Sequence, residues 1–337
     1  MSYRAEMDTS AAGMGAPGGD IVSDGSRFGT VFDLQHTHQL HPRNMIKEGN
    51  PIIRNHYTAD PTVLVHEGTV YLYTGHDDPP TGTDDYYMRD WLCFSSTDLR
   101  DWTEYPSPLK ATDFQWASGD AYASKVVEYQ RKFYWFVSVT HKGGPYKAIG
   151  VAVSDNPTGP FTDAKGAALV THDMLPATKN DKANLDPTVL IDDDGKAYLF
   201  WGNGQCYFAK LQANLTDLDS DIRMLDLPGF TEGAHIHKKN GICYLAYGYG
   251  YPEKVAYATS RNIEGPWEFK GILNEIAGNC ATNRPAIIEF KGVDCFFYHN
   301  GALPEGGSHR RSVCVDRLFY EEDGSLRRVV MTTEGVR

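Results

Sequence analysis

Several features that would assign this chain to a common class of proteins are missing from its sequence. It has no stretch of 18 apolar residues, which excludes a membrane-spanning helix. Its six cysteines form no CxxC pair and no zinc-like spacing, so we expect free, mostly buried thiols, with one or two disulfides as the alternative. The 32 Lys and Arg are outnumbered by 44 Asp and Glu, and a net charge of −12 argues against nucleic acid as a partner.

Short motifs of several enzyme classes are absent as well. There is no GxSxG nucleophile motif and no glycine-rich loop for a dinucleotide or phosphate. The first residues lack a basic stretch followed by an apolar one, so no secretory signal is expected, and the compartment stays open between cytoplasmic and secreted with the signal removed. We expect residues 1–30, rich in Gly, Ala, Ser and Met, to form a flexible leader, and residues 31–337 a single domain.

What the sequence does contain is an internal repeat. The stretch ADPTVLVHEGTVYLYTG, which begins at Ala59, returns as LDPTVLIDDDGKAYLFWG from Leu185. Each copy reads as an apolar strand, a polar turn with glycine and an aromatic-rich strand, which is typical of a β-hairpin. Weaker copies begin at Ala123, Glu232 and Arg284.

A second stretch of strand character follows most of these hairpins, for example at 91–105, 149–163 and 255–269. Two hairpins make four antiparallel strands per unit, and helical periodicity is nearly absent. The sequence therefore predicts an all-β fold, a five-bladed β-propeller with four antiparallel strands per blade. We expect residues 48–57 to pair with residues 311–321 and so close the ring.

Acidic residues recur at the head of the hairpins. In a propeller, the heads of the innermost strands surround one mouth of the central channel. An Asp before Pro is also a common turn opener, but three aligned carboxylates, one of them a Glu with different neighbours, favour a functional site. Glycosidic bond cleavage needs such a set of carboxylates. The five heads are Asp60, Ala123, Asp186, Glu232 and Arg284.

The combined motifs resemble glycoside hydrolase family 43, whose members are five-bladed propeller enzymes. The resemblance covers roughly residues 45–325 and rests on ADPTVLV, WAS with KVVEYQRKFYWFVS, LDPTVLIDDDGKAYLFWG, EGAHIHKKNGICYLAYG, PAIIEF, FFYHNG and RRSVCVD. It implies that Asp60 is the general base, Asp186 the carboxylate that tunes the acid's pKa, and Glu232 the general acid. It also implies inversion at the anomeric carbon.

The resemblance implies sugar-binding residues too. Trp116, in the WAS motif, would form the aromatic wall of the sugar pocket, with core packing as the alternative. Arg311 would bind sugar hydroxyls and the tuning carboxylate, Asp186. Because Arg310 and Arg311 alternate along a strand, one of the two should point inward. Arg284 stands where many relatives have His, and we expect it to bind a hydroxyl or a neighbouring carboxylate.

Two further predictions concern the channel and its rim. The resemblance implies that His299, at the end of the last inner strand, coordinates Ca²⁺ with waters; a hydrogen-bonded channel histidine is the alternative. The polar and aromatic segment 74–91 has the composition of a pocket-forming loop. Within it we expect His76 and Asp77 to contact sugar, unless the acids of this loop form only a solvated face.

The resemblance also implies a substrate. We expect an inverting glycoside hydrolase, a β-xylosidase with α-L-arabinofuranosidase activity, that releases terminal pentoses from xylo-oligosaccharides and arabinose-substituted xylan. The expected cofactor is Ca²⁺, and no organic cofactor is expected. The alternatives are an arabinan-degrading enzyme of the same fold, endo- or exo-acting, and a non-catalytic propeller that binds carbohydrate.

Overall fold

The computed structural model describes residues 49–176 and 178–336, and they form five antiparallel sheets. The innermost strands contact one another in circular order, so the sheets are the blades of a five-bladed β-propeller, as predicted. The predicted leader, residues 1–30, and residues 31–48 of the predicted domain lie outside the described residues.

The strands follow one another blade by blade along the chain. Blade 1 contains β1 (Thr58–His66), β2 (Thr69–His76), β3 (Asp90–Ser96) and β4 (Thr103–Lys110). Blade 2 contains β5 (Ala117–Gly119), β6 (Ser124–Tyr129), β7 (Lys132–His141), β8 (Lys147–Ser154) and β9 (Thr162–Asp163). Blade 3 contains β10 (Thr188–Ile191), β11 (Ala197–Trp201), β12 (Cys206–Leu211) and β13 (Arg223–Leu225).

The last two blades complete the ring. Blade 4 contains β14 (His235–Lys239), β15 (Ile242–Tyr249), β16 (Lys254–Ser260) and β17 (Glu268–Asn274). Blade 5 contains β18 (Ala286–Phe290), β19 (Val293–Asn300) and β20 (Ser312–Arg317). Two 3-10 helices, Ala111–Asp113 and His172–Met174, are the helical segments of the described chain, and neither is long enough to span a membrane.

Two blades depart from the predicted four strands. In blade 2 the inner edge is divided between β5 and β6, which both pair with β7. Blade 5 has three strands within the described residues, and the segment before β1 lies beside it. There the N–H of Ile52 donates to the carbonyl of Val313 (2.9 Å) and that of Thr58 to the carbonyl of Arg311 (2.9 Å). These bonds confirm that residues from both ends of the propeller close the ring.

Tight turns set the register of the inner hairpins. Four of the five hairpins close with two residues that both have positive φ, the type I′ geometry that suits twisted antiparallel strands. Because the turn fixes the register, these hairpins present equivalent residues at their open ends. The turn residues are Glu67 and Gly68, Gln130 and Arg131, Asn240 and Gly241, and Lys291 and Gly292.

The core is divided among the blade interfaces. Five clusters of buried apolar side chains lie between neighbouring sheets, one at each interface. The six cysteines are buried within the described residues and free, as expected from their spacing. Because each sheet is packed on both faces, the innermost strands are held rigidly around the channel.

The repeated Asp-Pro-Thr motif ties neighbouring blades together. The hydroxyl of Thr62 accepts a hydrogen bond from the backbone N–H of Val126 in blade 2 (3.4 Å), and that of Thr188 accepts one from Ile236 in blade 4 (3.3 Å). In both copies, the threonine hydroxyl fixes the position of the innermost strand. The Asp two residues earlier, Asp60 or Asp186, faces the channel.

Candidate active site

The heads of all five hairpins line one cavity. It has a volume of about 450 Å³ and lies where the innermost strands converge. Arg311, which directly precedes β20, also contributes to the wall. The repeat therefore brings together the residues that its alignment predicted, namely Asp60, Ala123, Asp186, Glu232 and Arg284.

Backbone geometry turns the acids toward this cavity. Asp60 and Asp186 have φ of 50° and 59°, a left-handed conformation that Asp tolerates better than most side chains. In β1 the register shifts between Ala59 and Thr62, so Asp60 sits in an irregularity of the strand. At the third acid the positive φ, 69°, falls on the next residue, Gly233. Strained backbone of this kind is concentrated at functional sites.

On one side of the cavity, the carboxylate of Asp60 is paired with a cation. Arg311 Nη1 lies 3.1 Å from Asp60 Oδ1. The same guanidinium donates from Nε and Nη2 to the two oxygens of Asp77, at 2.8 and 2.9 Å, and the Arg311 backbone N–H also donates to Asp77 (2.9 Å). Burial opposes ionisation of Asp77, but Arg311 outweighs it and lowers the pKa of this carboxyl. The result is a fixed Asp77–Arg311–Asp60 chain.

Arg311 reaches the cavity as expected, but with other carboxylate partners than the expected one. Arg311 points inward, while Arg310 is half-buried outside the cavity lining and donates to the backbone carbonyl of Thr83 (3.1 Å); strand alternation predicted that one of the two points inward. Its carboxylate partners are Asp60 and Asp77, and not Asp186 as expected. The physical reason is position, because Arg311 lies between the first and last blades, next to β1.

On the other side, Glu232 contacts a neutral side chain. Asn203 Nδ2 donates to Glu232 Oε2 at 2.6 Å. Burial raises the pKa of Glu232 to about 7; the charge of Glu253 adds to the rise, and the Asn203 hydrogen bond opposes it. A carboxyl group with such a pKa still holds a proton near neutral pH, as a general acid must.

The third acid, Asp186, is buried between these two sides. Its Oδ2 accepts the backbone N–H of Gly233 at 2.7 Å, and its own N–H donates to Ser138 Oγ at 3.0 Å. Burial raises the pKa of Asp186 to about 8; Glu232 adds to the shift and Arg284 opposes it. Arg284 directs its guanidinium donors to the backbone carbonyls of Ser124 (2.6 Å) and Pro187 (2.9 Å).

A fourth carboxylate, Glu253, was not predicted. It is 3% exposed, lines the cavity and accepts the backbone N–H of Asn283 at 2.8 Å. Burial raises the pKa of Glu253 to about 7. A Cβ on Gly248 would lie 3.0 Å from Glu253 Cδ, so this glycine makes room for the acid. Glu253 stands in the turn after β15 and has no counterpart in the repeat; its one sequence signal is an acid within the apolar stretch YGYPEKVAY.

The aromatic wall consists of residues other than Trp116. The Trp116 indole donates to Asp163 Oδ2 (3.0 Å) and fills the space left by Gly150, where a Cβ would lie 2.8 Å from the ring. It thus packs against blade 2, outside the cavity lining, an arrangement that favours the core-packing alternative. The aromatic rings in the lining are those of Tyr86, Tyr122, Phe230 and Tyr251, of which Tyr86 belongs to the predicted loop 74–91.

The neighbours His76 and Asp77 lie outside the cavity lining as well. Successive side chains at a strand end point to opposite faces. Asp77 points inward and is 1% exposed, with its carboxylate bound to Arg311. His76 points the other way, where its Nδ1 lies 3.0 Å from Asp90 Oδ1 in a separate cavity. Neither side chain is placed to contact a sugar in the central cavity, contrary to the expectation.

His299 is fully buried and both of its ring nitrogens are engaged. Nδ1 accepts the backbone N–H of Asp60 (3.1 Å), and Nε2 lies 2.9 Å from the carbonyl of Thr282, to which it donates. Burial, together with Arg311, lowers the pKa of His299 to about 4, so the ring is neutral. The described residues contain no group of three or more His, Cys, Asp or Glu that could hold a metal ion. His299 as arranged does not fit the expected role of calcium ligand; it fits the hydrogen-bonded alternative.

Known proteins of similar sequence and fold include several glycosidases. The xylosidase/arabinosidase 43A of Humicola insolens is 29% identical over 333 residues, which cover 82% of this chain and 98% of that protein. An α-L-arabinofuranosidase structure from Clostridium thermocellum is 32% identical, with a TM-score of 0.71, covering 85% of this chain and 98% of that one.

A β-xylosidase/α-arabinofuranosidase from a compost microbial metagenome is also similar. Its structure, in complex with xylotriose and in a calcium-free form, has a TM-score of 0.75 and 26% identity and covers 84% of this chain and 97% of that one. Residues 48–326 match the glycosyl hydrolases family 43. Because this match spans most of the chain and the fold agrees with it, the chain belongs to glycosyl hydrolases family 43 and is a glycoside hydrolase.

Proposed function

We propose that this enzyme releases terminal pentoses from xylan and arabinoxylan oligosaccharides, as a β-xylosidase with α-L-arabinofuranosidase activity. The observation that carries the proposal is the unequal pairing of the carboxylates in one cavity. Asp60 is paired with Arg311, whereas Glu232 faces Asn203 and Glu253. The pentose preference is supported by the relatives, which include a xylosidase/arabinosidase and a structure with xylotriose.

In this proposal the two sides of the cavity perform different proton transfers. Glu232 gives its proton to the glycosidic oxygen as the bond breaks. Asp60 takes a proton from a water molecule, which attacks the anomeric carbon from the opposite face and inverts it. Arg311 and Asp77 hold Asp60 in place, burial and the neighbouring Glu253 keep the proton on Glu232, and Asp186 lies between the two sides.

Arg284, Arg311 and the aromatic rings of the lining are the proposed sugar contacts. The two arginines offer hydrogen-bond donors to hydroxyl groups, and aromatic faces pack against the C–H face of a sugar ring. The proposed partners are xylo-oligosaccharides and arabinose-substituted xylan. No step is assigned to Ca²⁺. Both ring nitrogens of His299 are engaged, so an ion in this channel would need oxygen ligands from other groups. Metal analysis of the purified protein would detect such an ion.

The test is a pair of assays with purified wild type and Glu232→Gln. The substrates are p-nitrophenyl β-D-xylopyranoside and p-nitrophenyl α-L-arabinofuranoside, with xylobiose beside them. We expect wild type to cleave all three substrates and the variant to lose xylobiose cleavage. If wild type cleaves none of them, the dual activity is wrong. Release of oligomers from linear arabinan would then indicate the arabinan-degrading alternative, and binding without cleavage the non-catalytic propeller.

A further inference from the structure

A second depression adjoins the cavity at Tyr251. This tyrosine is 78% exposed and lines both the catalytic cavity and the neighbouring depression, which has a volume of about 430 Å³. Exposed large apolar side chains that cluster are typical of binding surfaces. The shared tyrosine makes the depression continuous with the site of bond cleavage.

The depression presents aromatic faces held in fixed positions. The rings of Tyr249 and Phe269 are stacked, with centroids 6.0 Å apart and an interplanar angle of 25°. The Tyr249 ring packs over Gly229, where a Cβ would come within 2.4 Å of it, so the ring is wedged against the backbone. Phe269 and Ile276 are 38% and 37% exposed and complete the apolar wall.

The chemistry of the depression suits a neutral ligand. Its cation, Lys254, is paired with Glu275 at 2.9 Å and so is not free to bind an anion. The protein's net charge of −12 disfavours polyanions in addition. Aromatic faces without free charges match the alternating C–H faces of a neutral β-linked sugar chain.

We propose that this depression binds the part of a xylan chain that continues beyond the cleaved bond. Tyr251 would contact the sugar next to the scissile bond, and Phe269 with Tyr249 a sugar further along. The proposal rests on the proposed function, because it takes the xylan backbone as the ligand. The enzyme would then favour long substrates over short ones.

The experiment measures binding and cleavage separately. Binding of xylohexaose and xylobiose is measured by calorimetry in the Glu232→Gln background, alone and combined with Phe269→Ala. Phe319→Ala is the matched control, since Phe319 is 45% exposed but lies outside the depression. Cleavage of the same two sugars is measured for Phe269→Ala and Phe319→Ala in the otherwise wild-type enzyme.

We expect Phe269→Ala to weaken xylohexaose binding and its kcat/KM by roughly five- to tenfold, the scale of one aromatic contact, with xylobiose unchanged. Phe319→Ala should change neither. The proposal would be overturned if Phe269→Ala and Phe319→Ala had the same affinity and kcat/KM for xylohexaose. It would also be overturned if Phe269→Ala weakened binding of xylohexaose and xylobiose equally. A lower sedimentation coefficient for Phe269→Ala would overturn it too, because the depression would then be a contact between copies. Absence of cleavage by the wild type would count against the proposed function, while the binding data would still decide on the depression.

Discussion

The two sides of the catalytic cavity begin from the same position of the repeat and end with opposite electrostatics. Asp60 heads the first hairpin and is locked to Arg311, which Asp77 holds from behind. Glu232 heads the fourth hairpin and has an amide and a second buried carboxyl as neighbours. The repeat thus supplies carboxylates, and the residues outside it decide which of them carries a charge.

In the proposed mechanism, this contrast lets one ring of acids supply both the base and the acid. A carboxylate beside a guanidinium can accept a proton from water, whereas a carboxyl raised to a pKa of about 7 can donate one. Asp186 lies between the two, and burial together with the charge of Glu232 raises its own pKa to about 8.

The largest effect is expected from removing the charged side. Asp60→Asn should lower kcat by about a thousandfold, on both xylobiose and aryl xylosides, because water activation is needed whatever the leaving group. Steady-state kinetics would measure it, with the exposed Asp101→Asn as a matched control that keeps its activity. Activity within tenfold of wild type would mean that another group activates the water.

Removing the acid should give a loss that depends on the leaving group. Glu232→Gln should lower kcat/KM for xylobiose by about a hundredfold or more, while a 2,4-dinitrophenyl xyloside, which needs no protonation, should lose far less. The matched control is Glu264→Gln, whose carboxylate pairs with Lys210 and Arg223 away from the cavity. A uniform loss across both substrates would assign Glu232 a role other than general acid.

The chain from Asp77 to Asp60 should also support the fold. Asp77→Asn leaves a buried arginine short of a charge partner and should cost about 3 kcal/mol in the free energy of unfolding. His76→Gln, at the adjacent residue but in a partly exposed pair, should cost less than about 1 kcal/mol. Urea denaturation measures both losses in the free energy of unfolding. Equal losses would show that the buried pair contributes no more to stability than the partly exposed one.

The smallest effects concern the neighbours of Glu232. Glu253→Gln removes a like charge and should lower the pKa of Glu232. The basic limb of the pH–rate profile should therefore move to lower pH by roughly one unit. Asn203→Ala removes a hydrogen-bond donor to the charged form of Glu232 and should move that limb to higher pH. Shifts in the same direction in both variants would contradict the assigned surroundings. A purely structural change would lower the rate without moving the limb.

The sequence predicted the parts of the site that the repeat determines. Asp60, Asp186 and Glu232 could be aligned because tight turns and a common motif place them at equivalent points of their hairpins. Strand alternation predicted that one of Arg310 and Arg311 points inward, and the choice of Arg311 rested on the resemblance. Ring closure was predictable because strand character before the first hairpin and after the last one leaves edges to be paired.

The remaining predictions depended on the paths of loops and on contacts between blades. Neither leaves a repeating pattern in the sequence from which it could be predicted. Glu253 was missed because its turn belongs to one blade alone. Trp116 was misplaced because the space beside Gly150 exists only after blade 2 has formed. His299 could be located in the channel, but the partners of its two nitrogens come from blade 1 and from the segment that precedes blade 5.

The pH dependence of kcat/KM on p-nitrophenyl β-D-xylopyranoside, for wild type and Glu232→Gln, tests most directly that Glu232 carries the catalytic proton, because this leaving group is assisted by the acid but still departs slowly without it. Because this acid acts in its protonated form, activity should be higher below pH 7 and decline as pH rises through about 7. The variant has no proton to lose at this position, so its profile should lack that decline. A variant that keeps the same basic limb would show that the titrating acid is a different group.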